Sequence, residues 1–494
     1  MNDILEKITK LLVYNPAEPL IFTAGLFLWL FAAFSFVYIM LQRTTTLRVV
    51  YLALFSLFFY YKTSGLFFLL LVFTATSDYA IGHLIEVSKS KKSKQLHLAA
   101  SIIINLGILC YFKYTNFFIE TINNFVDDPL SFQNIFLPIG ISFFTFQSMS
   151  YTIDIYRGRI KPLNHWIDYV LYVSFFPQLV AGPIVRARDF IPQIRKKPVV
   201  TREMFSRGVL LIIFGLFKKA IISDYISMNF VDRVFDAPTL YTGLENFMAI
   251  MGYSIQIYCD FSGYSDIAIG LALLLGFHFN INFNSPYKSA SITEFWRRWH
   301  ISLSSWLKDY LYISLGGSRK GKIRTYVNLL ITMLLGGLWH GASVRFLLWG
   351  AIHGVALAIH KLVLSIFPSM EIEGMKMRRI PRILGITLTF MTVSASWVFF
   401  RAHTMDDALD MFYRIGTAFH IEVFWQFIKG YPTVLGLIIL GFLLHFSSEK
   451  LENKMYSIFD KWPTFVYPIA LSLLIFLIMQ TRTGEVQPFI YFQF

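Results

Sequence analysis

The stretch Asn328-Leu329-Leu330-Ile331-Thr332-Met333-Leu334-Leu335-Gly336-Gly337-Leu338-Trp339-His340-Gly341-Ala342 decides how the chain must be read, and a second apolar run follows it at residues 345–365. Each run has the length that a helix needs to cross roughly 30 Å of hydrocarbon. The basic run Arg319–Arg324 stands just before the first. Counted from Arg324, His340 lies about 24 Å along the helix, well inside a bilayer. An ionisable side chain at that depth is costly, and by default it marks a working site that faces a cavity. The bland alternative is a histidine that hydrogen-bonds between two helices. Glycines at 336, 337 and 341 remove side-chain bulk around it and would let a substrate approach the backbone.

Working outward, the rest of the chain has the same character. Of 494 residues, 55% are apolar, 15% are charged and 51 are Phe, with a mean hydropathy of +0.55. A soluble protein would need an implausibly large core to hide so much apolar surface, because cores stop growing near 250–300 residues. Candidate spans fall at 20–41, 46–62, 64–84, 97–118, 137–156, 207–223, 244–275, 326–343, 345–365, 382–400, 431–448 and 464–481. The second is short and the seventh is too long for one straight helix, so the expected count is eleven or twelve. The expected fold class is an all-α polytopic membrane protein.

The net charge of +14 does not point to nucleic acid, because the bases sit in short runs between apolar segments. These runs are Arg43 to Arg48, Lys89 to Lys94, Arg157 to Lys161, Arg186 to Lys197, Arg319 to Arg324 and Lys376 to Arg382. An even number of spans separates successive runs before Arg186, and again after it. All can then share one side, cytoplasmic by the positive-inside bias, with the N-terminus outside. The first long run lacks a basic leader and is too long for a signal-peptide core. Cys110 and Cys259 have neither disulfide nor metal spacing, so no metal is expected. No inverted repeat of the transporter kind is visible.

Two stretches resist a simple span. Residues 167–183 are apolar but broken by Pro177, Gly182 and Pro183, which suggests a re-entrant element against protein or a water-filled cavity. Residues 284–315 mix Trp, Arg, His, Tyr and Lys with Leu and Ile, the pattern of an interfacial helix. Within it, Arg297, Arg298 and Lys308 flank His300, an arrangement suited either to an anionic head or to plain membrane anchoring. Of the other histidines, His83, His97, His165, His403 and His420 read as solvated loop-edge residues. His278, His353, His360 and His445 read as packing residues.

Several stretches, in order, resemble the signature segments of the membrane-bound O-acyltransferase family, in its bacterial alginate O-acetyltransferase branch. They are Phe143-Phe144-Thr145-Phe146-Gln147, Phe175 to Ile184, Asp260 to Gly270, Asn282 to Tyr287, Glu294 to Ser304, Asp309 to Ile313 with Leu315-Gly316-Gly317, and Gly337 to Ala342. Weaker echoes stand at Phe399 to Ala402 and at the tail Phe489 to Phe494. The resemblance covers residues 137 to about 355.

The resemblance implies re-entrant and interfacial helices around a membrane-crossing tunnel, with His340 and His300 as the catalytic pair. It implies a donor site at Trp296, Arg297, Arg298 and Lys308, and tunnel lining by Trp339, Gly337, Gly341, Gln178, Asp309 and Tyr310. It implies acetyl-CoA as the donor with no bound cofactor, and an extracytoplasmic partner of the SGNH acyltransferase or esterase-like type. The acceptor would be a polysaccharide such as an alginate-like exopolymer or peptidoglycan, in a multi-pass protein of a bacterial inner membrane. The expected division is N-terminal helices at 1–136, a catalytic core at 137–365 and C-terminal helices at 366–494. Three alternatives remain: a flippase of lipid-linked saccharide, a non-catalytic scaffold, and D-alanyl transfer to teichoic acid.

Overall fold

The computed structural model describes residues 11–16, 18–180, 182–367, 379–481 and 489–490. The start of the basic run at Lys376 and the tail residues 491–494 lie outside them. The regular structure of the described residues is all helical, without strands. Among the described residues six helices are long and apolar enough to cross a membrane, or seven if the bent pair Ile421–Gly430 and Pro432–Phe446 counts as one span. The remaining expected spans are helical as well, but shorter or less apolar: Ile141–Tyr156, Lys322–His340 and Val466–Thr481 are examples. The chain is therefore a multi-pass membrane protein. The run at 244–275, expected to exceed a single helix, is one continuous helix of 32 residues, Gly243–Leu274.

The chain divides into two units, residues 1–209 with 267–280, and residues 210–266 with 281–494. In the first, α1 (Gly25–Met40), α2 (Thr45–Ser64), α3 (Phe68–Val87), α4 (Lys91–Leu109) and α5 (Ile141–Tyr156) form the frame. Asp78 of α3 is fully buried and accepts from Ser101 Oγ (2.6 Å) and Asn105 Nδ2 (2.7 Å) of α4. Ser101 in turn meets Thr152 of α5 at 2.9 Å, so one polar cluster ties three helices together. A carboxyl in an apolar interior persists only with such partners.

The segment 167–183 does not form a span. It makes the helix Trp166–Ser174, breaks at Phe175, and resumes for one turn at Phe176–Leu179 with Pro177 in that turn. Residues 168–180 are all buried. The Phe176 ring sits among Phe27, Phe31, Phe34, Phe55 and Phe59 at 5.2–6.2 Å. Protein therefore satisfies the irregular backbone, as its composition requires.

In the second unit the Asp260-to-Asp266 stretch lies on the long helix, where its charges are matched. Lys219 binds Asp260 (2.5 Å) and Asp224 (2.8 Å), and Lys218 binds Asp266. Gly263 permits this approach, since a Cβ there would strike the Gly215 carbonyl. Two further helices, α6 (Lys322–His340) and α7 (Val344–Ile366), make a hairpin with extensive mutual packing. Gly337 on α6 and Gly341 just past its end, and Gly350 and Gly354 on α7, share a spacing of four. A Cβ on Gly337 would meet the Phe346 carbonyl, and one on Gly350 the Met333 carbonyl. This is the close backbone packing that small residues four apart allow in membranes.

Candidate active site

His340 is the last residue of α6, and the chain leaves it through Gly341 in extended conformation. Its side chain is almost fully buried. Trp339, Trp349 and Phe400 stand edge-on around it with ring centroids at 4.9, 5.0 and 5.2 Å. The flanking glycines have a different task from the one their size suggests. Gly341 faces the Phe346 ring and Gly337 the Phe346 carbonyl, so they seat α7 against α6.

His300 stands at a sharp reversal between two short helices, Ile292–Arg298 and Ile301–Trp306. Its φ of +42° is in the left-handed region, a strained place for a side chain that costs on the order of 1–3 kcal/mol. Asn282 holds the reversal. Its carbonyl accepts from Ile301 N at 2.9 Å. Its Oδ1 accepts from Ser302 N (3.1 Å), Ser302 Oγ (2.9 Å) and His300 Nδ1 (3.2 Å). Its Nδ2 donates to Ser265 Oγ at 3.2 Å, and the Ser302 N–H, which can only donate, fixes which end of the amide is oxygen. His300 therefore carries its proton on Nδ1 and leaves Nε2 as the basic nitrogen. Complete burial pushes the imidazole down to about 3, so it is neutral at physiological pH. The Trp339 ring contacts both histidines, at 6.1 Å from His300 and 4.9 Å from His340.

In the same unit lies a cavity of about 830 Å³ that neither histidine lines, within the range of small-molecule sites. Four cations line it, Arg297, Lys308, Lys322 and Lys361, and among the described residues no carboxylate does. Ser304, Ser305, Ser318 and Thr325 add hydroxyls, while Leu307, Leu329, Met333 and Leu357 add apolar wall. One side of this site is thus cationic and hydroxylated, a match for phosphate.

Of the residues singled out in the sequence, Trp296, Arg297 and Lys308 line the cavity and Arg298 does not. Arg298 instead pairs with Glu294 at 2.9 Å, one helical turn away, and donates to the Asn284 carbonyl. Asp309 is outside the lining, and Tyr310 packs on Trp306 at 5.1 Å. Gln178 belongs to the first unit, where it donates to the Tyr172 carbonyl at 2.5 Å. His360 lies in the cavity wall, with Nδ1 2.8 Å from Thr293 Oγ1. His353 and His445 are buried, whereas His278 is exposed.

Sequence reasoning missed Lys322, Lys361 and Asn282. Lys322 could have been found, since it sits in the Arg319–Arg324 run, but there it served only to orient the helix. Lys361 carried no local signal. Among the described residues no group of three or more His, Cys, Asp or Glu is placed to hold a metal.

The membrane-bound O-acyltransferase family model matches residues 160–404. "Probable alginate O-acetylase AlgI" of Pseudomonas aeruginosa is 38% identical over 88% of this chain and 84% of its own length. The protein of the same name from Pseudomonas syringae pv. tomato is 44% identical over 65% of this chain, a match that spans 60% of that relative. "Peptidoglycan O-acetyltransferase" of Helicobacter pylori is 37% identical over 79% of this chain and 78% of its own.

Proposed function

Because the chain belongs to the membrane-bound O-acyltransferase family, we propose that it moves acetyl groups from cytoplasmic acetyl-CoA across the membrane for O-acetylation of an extracytoplasmic polysaccharide. The cavity with four cations and no carboxylate carries this reading. A coenzyme A head is polyanionic and cannot enter hydrocarbon, so it needs a wet, cationic mouth. Lys322, at the start of α6, and Lys361, near the end of α7, supply one at the end of the hairpin away from His340. From the Lys322 end to His340, α6 runs about 27 Å. The donor's thin arm, not its head, has to cover the inner part of that distance.

At the inner end His340 serves as general base. Its neutral imidazole takes the proton from an acceptor hydroxyl as the oxygen attacks the thioester carbonyl carbon. The C–S bond then breaks, and the proton passes to the departing thiolate. Such proton transfer contributes on the order of 10²–10⁴-fold. Ring walls from Trp339, Trp349 and Phe400 keep water from competing with the acceptor. His300 stays neutral, with its ring 6.1 Å from that of Trp339, and offers a second polar group.

The relatives' printed names speak for alginate or peptidoglycan as the polymer class. An SGNH-type partner on the far side would receive the acetyl group and pass it to the polymer. The bacterial inner membrane is the fitting location, with the loops at 89–94, 186–197 and 319–324 in the cytoplasm and the N-terminus outside. The test is direct: purified protein in proteoliposomes should form acetylated product or free coenzyme A from radiolabelled acetyl-CoA when a hydroxyl acceptor is present. Persistent failure with acetyl-CoA, alongside turnover of a carrier-protein thioester, would replace this donor with the other.

A further inference from the structure

The innermost α6 residue of the cavity lining is Met333, which leaves seven residues, or about 10 Å of helix, before His340. Three rings bridge that interval. Trp296 lines the cavity, and its ring lies 5.8 Å from Trp349 and 5.2 Å from His353. Trp349 and His353 are 4.7 Å apart, and Trp349 stands 5.0 Å from His340. Each of the three rings holds a buried polar atom with no hydrogen-bond partner among the described residues: Trp296 Nε1, Trp349 Nε1 and His353 Nδ1.

The protonation of His353 follows from its neighbour. Ser396 Oγ donates to the Val393 carbonyl (2.7 Å), so it accepts from His353 Nε2 (3.0 Å). Nδ1 is then a bare acceptor. One cluster thus offers two indole N–H donors and one lone pair, all unpaired. Leaving a buried polar group unpaired is expensive, so a polar guest at this cluster would relieve a real cost.

The geometry points to a subsite for a secondary amide of the donor's pantetheine arm, held by Trp296, Trp349 and His353 between the cavity and His340. An amide carries a carbonyl that accepts and an N–H that donates, which answers two donors and one acceptor. An all-carbon arm would leave these groups unpaired, and the anionic head stops among the lysines. This rests on the coenzyme A reading above.

The test uses titration calorimetry on the purified full chain with two probes: coenzyme A, and adenosine 3′,5′-bisphosphate, which keeps the adenosine and two of the three phosphates but lacks the arm. Trp349→Phe retains an aromatic ring and removes the N–H. It should weaken coenzyme A binding about fivefold, the loss of one net hydrogen bond, and leave bisphosphate binding unchanged. Trp296→Phe should do the same independently. Wild-type-like coenzyme A affinity in both variants would overturn the subsite, with water as the remaining guest. Equal weakening of both probes, a packing effect, would also overturn it. A wild-type chain that binds neither probe would contradict the donor reading itself, and the subsite with it, before any variant is made.

Discussion

Replacing Arg297 and Lys308 together by Gln separates a binding role for the cavity cations from membrane anchoring. Both side chains are exposed at the mouth and both line the cavity, while Arg298, next in sequence, is tied to Glu294. A cation at such a boundary is worth about 1 kcal/mol toward an anionic head. Losing two should therefore raise the KM for acetyl-CoA by about thirtyfold at low ionic strength, with kcat little changed. Salt supplies the internal check. The Debye length falls from about 10 Å at 0.1 M to about 3 Å at 1 M, so the wild-type advantage should shrink to a few-fold in high salt. Arg298→Gln is the control and should leave KM in place. The assay is initial-rate kinetics on purified protein in proteoliposomes. An unchanged KM for the double variant at low salt, or a KM shift for Arg298→Gln equal to that of Arg297→Gln, would refute the reasoning.

Three other outcomes follow from the packing. Asn282→Ala should destabilise the protein by about 2–3 kcal/mol, because His300 Nδ1 and two Ser302 donors lose one acceptor; Asn282→Asp keeps an accepting oxygen and should recover much of the thermal stability. Gly337→Ala should cost about 1–3 kcal/mol through the Phe346 carbonyl, whereas Gly436→Ala, with nothing within 4 Å, should not lower the unfolding temperature. In a Cys110→Ser background, made because Cys110 is exposed and Cys259 is not, single cysteines at Lys92, Lys196 and Lys320 should resist an impermeant thiol reagent in intact cells; ready labelling of two of the three would reverse the orientation.

Much of this was legible before any coordinates. Apolar length marked the run before His340 as a helix, and the proline breaks marked 167–183 as irregular, because both depend on local composition. The reading weakened where function is assembled from distant chain. Lys361 and Lys308 meet across one cavity from 53 positions apart, and nothing local in either announces it. Arg297 and Arg298 look identical in sequence; only the spacing of Glu294 and Arg298 at i and i+4 hints that Arg298 pairs with that carboxylate. The glycines beside His340 looked like room for substrate, yet their four-residue spacing, repeated at 350 and 354, was the stronger signal and meant helix packing. Asn282 was visible only as part of a motif, since its role depends on a chain reversal at His300 that composition does not encode.

The central claim is that acetyl groups enter from the side of the basic loops and leave past His340. Proteoliposomes of fixed orientation, with radiolabelled acetyl-CoA confined to the side of the loops at 89–94 and 319–324 and the acceptor to the other, test it directly. Wild-type protein should deliver label to the acceptor across the bilayer, while well-inserted His340→Ala protein should deliver none above background. Wild-type-like delivery by His340→Ala would contradict the account.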